Sequence, residues 1–143
     1  MAGSTNSYHR RAAFDYWLVK ANDQGDTLWT HAYGTNQYEE CYSLIGLDNG
    51  NLAAGGWLLK DDIIQRYWLL ILDADGDSLT SFIGDDSIGT ICTALASTDD
   101  GKLAVAGGTF NEAKSGNDFW LMKMDYNGEM EWTHSYEGPA PGA

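Results

Sequence analysis

Four acidic residues offer the most suggestive chemistry in this chain: Glu39 and Glu40 in one connecting segment, and Asp85 and Asp86 in the matching segment further on. Tyr38 and Trp57 read as their neighbours. Carboxylates in pairs beside aromatic rings admit three readings. They form a solvated acidic rim, or they hold a cation or a polyol. Alternatively they act as acid and base in glycoside cleavage, where two carboxyl groups flank the scissile bond. These six residues are the candidate ligand-binding set, and no residue is assigned a catalytic role.

The other reactive side chains read as structural. Asp73-Ala74-Asp75-Gly76-Asp77 resembles a calcium loop, but its glycine comes two residues early and the twelfth position is Gly84, not Glu. Asn22-Asp23-Gln24-Gly25-Asp26 and Asp125-Tyr126-Asn127-Gly128-Glu129 stand in the same place, so a hairpin turn explains all three. Cys41 and Cys92 occupy equivalent positions, which suits small buried residues and free thiols. His31 and His134 are likewise equivalent, and no Cys/His spacing fits zinc. With no phosphate loop opening a helix, no cofactor is expected. Arg10-Arg11 beside His9 is the one short basic stretch.

These residues are positioned by a repeat. Asp15-Tyr16-Trp17-Leu18-Val19-Lys20 matches Arg66-Tyr67-Trp68-Leu69-Leu70-Ile71 and Asp118-Phe119-Trp120-Leu121-Met122-Lys123. The period is about 51 residues, in the range where blades and solenoids are sought. A glycine turn follows each copy, at Gly25, Gly76 and Gly128. Then comes Trp29-Thr30-His31-Ala32-Tyr33-Gly34, echoed by Trp132-Thr133-His134-Ser135-Tyr136; the middle copy, Thr80-Ser81-Phe82-Ile83-Gly84, is degenerate. Cys41-Tyr42-Ser43-Leu44-Ile45 and Leu52-Ala53-Ala54-Gly55-Gly56 are repeated as Cys92-Thr93-Ala94-Leu95-Ala96 and Leu103-Ala104-Val105-Ala106-Gly107-Gly108. Ala2-Gly3-Ser4-Thr5 aligns with the Gly-Gly segments of the later copies.

Each copy predicts four short strands: A (41–47, 91–97), B (51–57, 102–109), C (15–22, 66–73, 118–125) and D (27–33, 78–83, 130–136). Asn49-Gly50, Asp75-Gly76, Asp100-Gly101 and Asn127-Gly128 are hairpin signals, because Asn, Asp and Gly tolerate the positive φ that tight turns need. No segment reads as a helix. The expected fold is all-β: antiparallel four-stranded blades of a partial β-propeller.

The pattern resembles kelch-type and related bacterial propeller repeats, particularly those of the form Asp-Phe-Trp-Leu-x-Lys-x-Asp-x-x-Gly-x-x-x-Trp. The resemblance covers nearly the whole chain and implies a fold, not an activity. It also implies that the D-to-A connections share one rim with the B-to-C connections (58–65, 110–117), the usual ligand side.

The 143 residues hold about 2.8 blades. The expected division is an incomplete blade at 1–33, blades at 34–83 and 84–136, and a tail at 137–143. Propellers close with about four to eight blades. The expectation is therefore a homo-oligomer, most simply a homodimer with a five- or six-bladed ring, or else a piece of a longer propeller. A net charge of −13 argues against nucleic acid and anionic membranes as partners. Met-Ala-Gly-Ser-Thr-Asn-Ser has no apolar core of a signal peptide, so the default is a cytoplasmic product, or an extracellular one if the parent protein is secreted. Since no polar group is unique to one copy except the acidic residues, a non-enzymatic module of assembly and binding is favoured over an enzyme acting on carbohydrate.

Overall fold

The computed structural model of the chain describes residues 1–5, 14–35, 37–60, 64–84, 89–111 and 116–138. Among them lie eleven strands: β1 (Ala2–Thr5), β2 (Asp15–Ala21), β3 (Thr27–Tyr33), β4 (Tyr38–Gly46), β5 (Leu52–Lys60), β6 (Ile64–Leu72), β7 (Ser78–Ile83), β8 (Thr90–Ser97), β9 (Leu103–Asn111), β10 (Gly116–Met124) and β11 (Met130–Tyr136). They form three open antiparallel sheets in chain order: β1-β2-β3, β4-β5-β6-β7 and β8-β9-β10-β11. The all-β meander expected from the repeat is what forms.

Turn chemistry sets the meander. Gly25, Gly50, Gly76, Gly101 and Gly128 lie at φ between 75° and 89°, a region that side chains with a Cβ rarely adopt. In the β2–β3, β6–β7 and β10–β11 turns the side-chain oxygen of Asn22, Asp73 or Asp125 accepts two backbone N–H bonds at 2.9–3.0 Å. Those side chains therefore shape turns, as the hairpin reading expects.

Two cores lie between successive sheets. Tyr16 and Leu18 of the first sheet pack with Cys41, Ala54, Leu58, Trp68, Leu70 and Leu72 of the second. Leu69 and Ile71 of the second sheet pack with Cys92, Val105, Trp120, Met122 and Met124 of the third. Strand side chains alternate between faces. So each sheet has a forward face marked by Tyr16, Tyr67 or Phe119, and a backward face marked by Trp17, Trp68 or Trp120. Forward meets backward twice. Tyr16 lies over Trp68 at 4.6 Å between ring centroids, and Tyr67 stacks on Trp120 at 5.1 Å. The middle sheet is covered on both faces, which is why β6 ends in an unbroken buried run, Trp68–Leu72.

The structure differs from the sequence alignment in three places. Strand A begins at Tyr38, because Tyr38, Glu39 and Glu40 continue the ladder opposite Leu59, Leu58 and Trp57. Within the connections expected at 58–65 and 110–117, residues 58–60, 64–65, 110–111 and 116–117 are strand, since β5 pairs with β6 from Lys60 opposite Ile64 and β9 with β10 from Asn111 opposite Gly116. Finally, the glycines facing the repeated tryptophans are Gly3, Gly56 and Gly107, so in the middle copy the equivalent residue is Gly56 and not the aligned Gly55. A bulge in strand A, between Cys41 and Ser43 and again between Cys92 and Ala94, determines which glycine is needed.

Candidate functional site

The bulged end of β4 gathers an aromatic and acidic cluster. Tyr38 stacks on Trp57 with centroids 5.5 Å apart and meets Phe14 edge-on at 5.1 Å. Glu40 is enclosed by hydroxyls: Tyr38 donates to its Oε1 at 3.1 Å and Tyr42 to its Oε2 at 2.6 Å. The indole N–H of Trp57 donates to Tyr42 Oη at 3.1 Å. Burial and then the Glu40 carboxylate push the Tyr38 hydroxyl above its ordinary pKa; for Tyr42 the Glu40 bond is the larger cause. Both hydroxyls stay protonated at neutral pH and act as donors. The half-exposed Tyr38 and Glu40 and the exposed Tyr42 offer a ring face beside polar atoms, a surface suited to a polyol.

Glu39 points the opposite way, as alternation along a strand requires. It is 0% exposed and accepts from the backbone N–H of Thr35 at 3.0 Å and from the Thr35 hydroxyl. Buried Asp15 lies beside it, a residue that the sequence reading passed over. A weak signal was present: Asp15, Arg66 and Asp118 share one repeat position and differ in sign. Glu39 and Glu40 therefore do not face one ligand. Asp85 and Asp86 lie outside the described residues.

Burial raises the pKa of Glu39, the Thr35 bonds lower it, and the Asp15 charge raises it further. A carboxyl that holds its proton more tightly when folded loses stability as pH rises from the ordinary glutamate range through the raised folded value. Glu39→Gln keeps an acceptor for Thr35 and removes the charge. It is expected to raise the thermal midpoint at pH 7, by roughly 2–4 °C for each kcal/mol recovered. The gain should vanish at about pH 3, where glutamate is protonated in both states. A lower midpoint at neutral pH would show that the charge is well satisfied.

A second candidate is a groove of about 530 Å³ between the second and third sheets, lined by Tyr67, Phe82, Trp120, Met122, Met124 and Met130 among others. Its origin is the degenerate middle copy. Where β3 carries Trp29, His31 and Tyr33, the matching register of β7 holds Thr80 and Phe82 and then Gly84, so two large rings are missing. The lining is aromatic and thioether with threonine hydroxyls, which suits an apolar ligand.

The thiols are not positioned for chemistry. Burial pushes Cys41 up to about 11 and Cys92 up to about 12, so both are protonated and poorly nucleophilic at neutral pH. Among the described residues no group of three or more His, Cys, Asp or Glu side chains could hold a metal ion. His31 and His134 sit in stacks of three rings on β3 and β11. No protein-family model matches the chain, and no curated protein matches it either.

Proposed function

We propose that the chain is a β-propeller segment with blades at 1–33, 34–83 and 84–136 and a tail at 137–143, serving as a non-enzymatic module that binds and assembles. Copies of it associate to complete a ring. One observation carries this reading. The junction between sheets is an aromatic pair, made twice inside the chain, and the two halves of a third pair are left uncovered at its ends. Trp17 is 40% exposed on the backward face of the first sheet, and Phe119 is 68% exposed on the forward face of the third. The equivalent Trp68 and Trp120 are 6% and 5% exposed, and Tyr16 is 0%. Exposed apolar faces of this kind mark association surfaces. Two copies bring six sheets, inside the range of about four to eight that closes a ring.

A ligand on the Tyr38–Glu40–Tyr42 surface, such as a carbohydrate, fits the module reading better than turnover does. Both oxygens of Glu40 are held by tyrosines, and Glu39 is buried, so neither is presented as a free acid or base. Sedimentation at micromolar concentration is expected to give the mass of two chains. Phe119→Ser should weaken association at least tenfold, as for a central aromatic contact. A folded monomer at tens of micromolar would overturn the self-association reading.

A further inference from the structure

We propose that the face carrying Phe119, Trp132, His134 and Tyr136 docks head to tail on Trp17 and the Asn22–Asp26 turn of a second copy of this chain. The proposal rests on the self-association reading and specifies its geometry. The template is the junction between the first and second sheets. There Trp29 Nε1 donates to Ala74 O at 3.3 Å, His31 Nε2 lies 3.2 Å from Asp75 O, and the Tyr33 hydroxyl donates to Gly76 O. Lys20 Nζ also reaches Ala74 O, at 3.2 Å. Three rings thus grip the three carbonyls of one turn.

The third sheet carries the same grip with nothing in it among the described residues. Trp132 faces Lys123, His134 faces Leu121 and Tyr136 faces Phe119, in the register that Trp29, His31 and Tyr33 hold against Lys20, Leu18 and Tyr16. The ring spacings match as well: 5.4 and 6.3 Å in the uncovered stack, against 5.0 and 6.1 Å in the covered one. A surface already arranged for its partner loses little freedom on docking. Lys123 is the exception, being held by Asp100 at 2.7 Å, so the lysine contact is not repeated.

The first sheet carries the matching turn. Asn22 to Asp26 closes with the same backbone bonds as Asp73 to Asp77, at 2.9 and 3.1 Å. A Cβ placed on Gly76 would meet His31 Cδ2 at 2.6 Å, and one on Gly128 would meet Phe82 Cε1 at 2.1 Å, whereas Gly25 has nothing within 4 Å. Among the described residues, the ungripped turn and the empty grip are on the first and the last sheet of one chain. Such a contact is heterologous, and two copies meet it twice when the ring closes. Three copies would bring nine sheets, beyond the usual range of about four to eight.

The test uses the full chain. Gly25→Asn keeps a residue that tolerates positive φ and fills the place of the His134 ring. Trp132→Ala with Tyr136→Ala removes the outer rings of the grip from an exposed strand. Each is expected to weaken association at least tenfold by sedimentation, with an unchanged circular dichroism spectrum. In parallel, chains carrying Gln24→Cys are mixed with chains carrying His134→Cys and treated with a short bismaleimide; the native thiols are buried. Cross-links between unlike chains, with few between like chains, are expected. A wild-type assembly that ignores these variants, or that links Gln24→Cys to itself, overturns the head-to-tail geometry and leaves self-association standing. A wild-type monomer overturns both.

Discussion

Replacing Trp68 by alanine is expected to lower stability by about 3–5 kcal/mol, the range for removing a buried aromatic ring, while Trp17→Ala lowers it by about 1 kcal/mol or less. The two residues occupy one repeat position, so sequence alone ranks them equal. Their surroundings do not. Trp68 is 6% exposed between the first and second sheets, lies under the Tyr16 ring, and lends its carbonyl to the Tyr16 hydroxyl at 2.7 Å. Its loss opens a cavity and removes the ring packed against a fully buried tyrosine. Trp120, at 5% exposure, belongs with Trp68 by burial; its indole bond to Thr133 Oγ1 at 2.8 Å does not distinguish it from Trp17, whose indole donates to Thr30 Oγ1. Trp17 projects from a face that no sheet of the same chain covers. The comparison should be made by chemical denaturation in the Phe119→Ser background, because association adds to apparent stability. Equal losses at Trp17 and Trp68 in that background would show that the outer face is covered within the chain.

The repeat was legible because three signals coincide in it. Matching segments return at about 51 residues, a turn dipeptide follows at fixed distance, and the same aromatic pair occurs three times. Alternation does not say which of two equivalent faces meets a neighbour, so the direction of stacking had to come from coordinates. The one-residue offset of the glycines was hidden for a related reason. The connection between β9 and β10 is one residue longer than that between β5 and β6, four residues against three, and a change of loop length leaves the letters of both strands intact. Aligning Gly55-Gly56 with Gly107-Gly108 matched letters where Gly56 and Gly107 share the structural role.

The candidate site was half legible. Tyr38, Glu40 and Trp57 do come together, because strand pairing puts Glu40 opposite Trp57 and stacks Tyr38 on the same face. Glu39 was read with Glu40 because both were placed in a loop, where neighbours can point the same way. In a strand they cannot. Tyr42 was missed as a partner because the expected strand A starts at residue 41; with the strand running from Tyr38, Tyr38, Glu40 and Tyr42 share a face. The groove was visible only in negative: the degenerate Thr80–Gly84 segment records lost bulk, and lost bulk becomes space only once the next sheet is in place.

Gly56→Ala and Gly107→Ala are each expected to lower stability by about 3 kcal/mol, at the upper end of ordinary overpacking. A Cβ on Gly56 would stand 1.8 Å from Glu40 O, and one on Gly107 would stand 1.8 Å from Ile91 O. Both obstacles are backbone carbonyls inside a hydrogen-bonded ladder, so no rotamer change relieves the clash. The bulge at Cys41 and at Cys92 puts them there, by turning the strand A backbone toward strand B. Gly3 supplies the internal control. It faces Trp17 as Gly56 faces Trp68 and Gly107 faces Trp120, yet a Cβ there meets nothing within 4 Å, because no strand A flanks β1. Gly3→Ala should therefore change stability by no more than about 0.5 kcal/mol, as at an unconstrained surface position. Denaturation midpoints of the three variants decide the matter. If Gly3→Ala is as damaging as the other two, the glycines answer to the tryptophans opposite them and not to the bulge. If all three are harmless, the carbonyls can move, and the bulge does not hold the sheet in the way described.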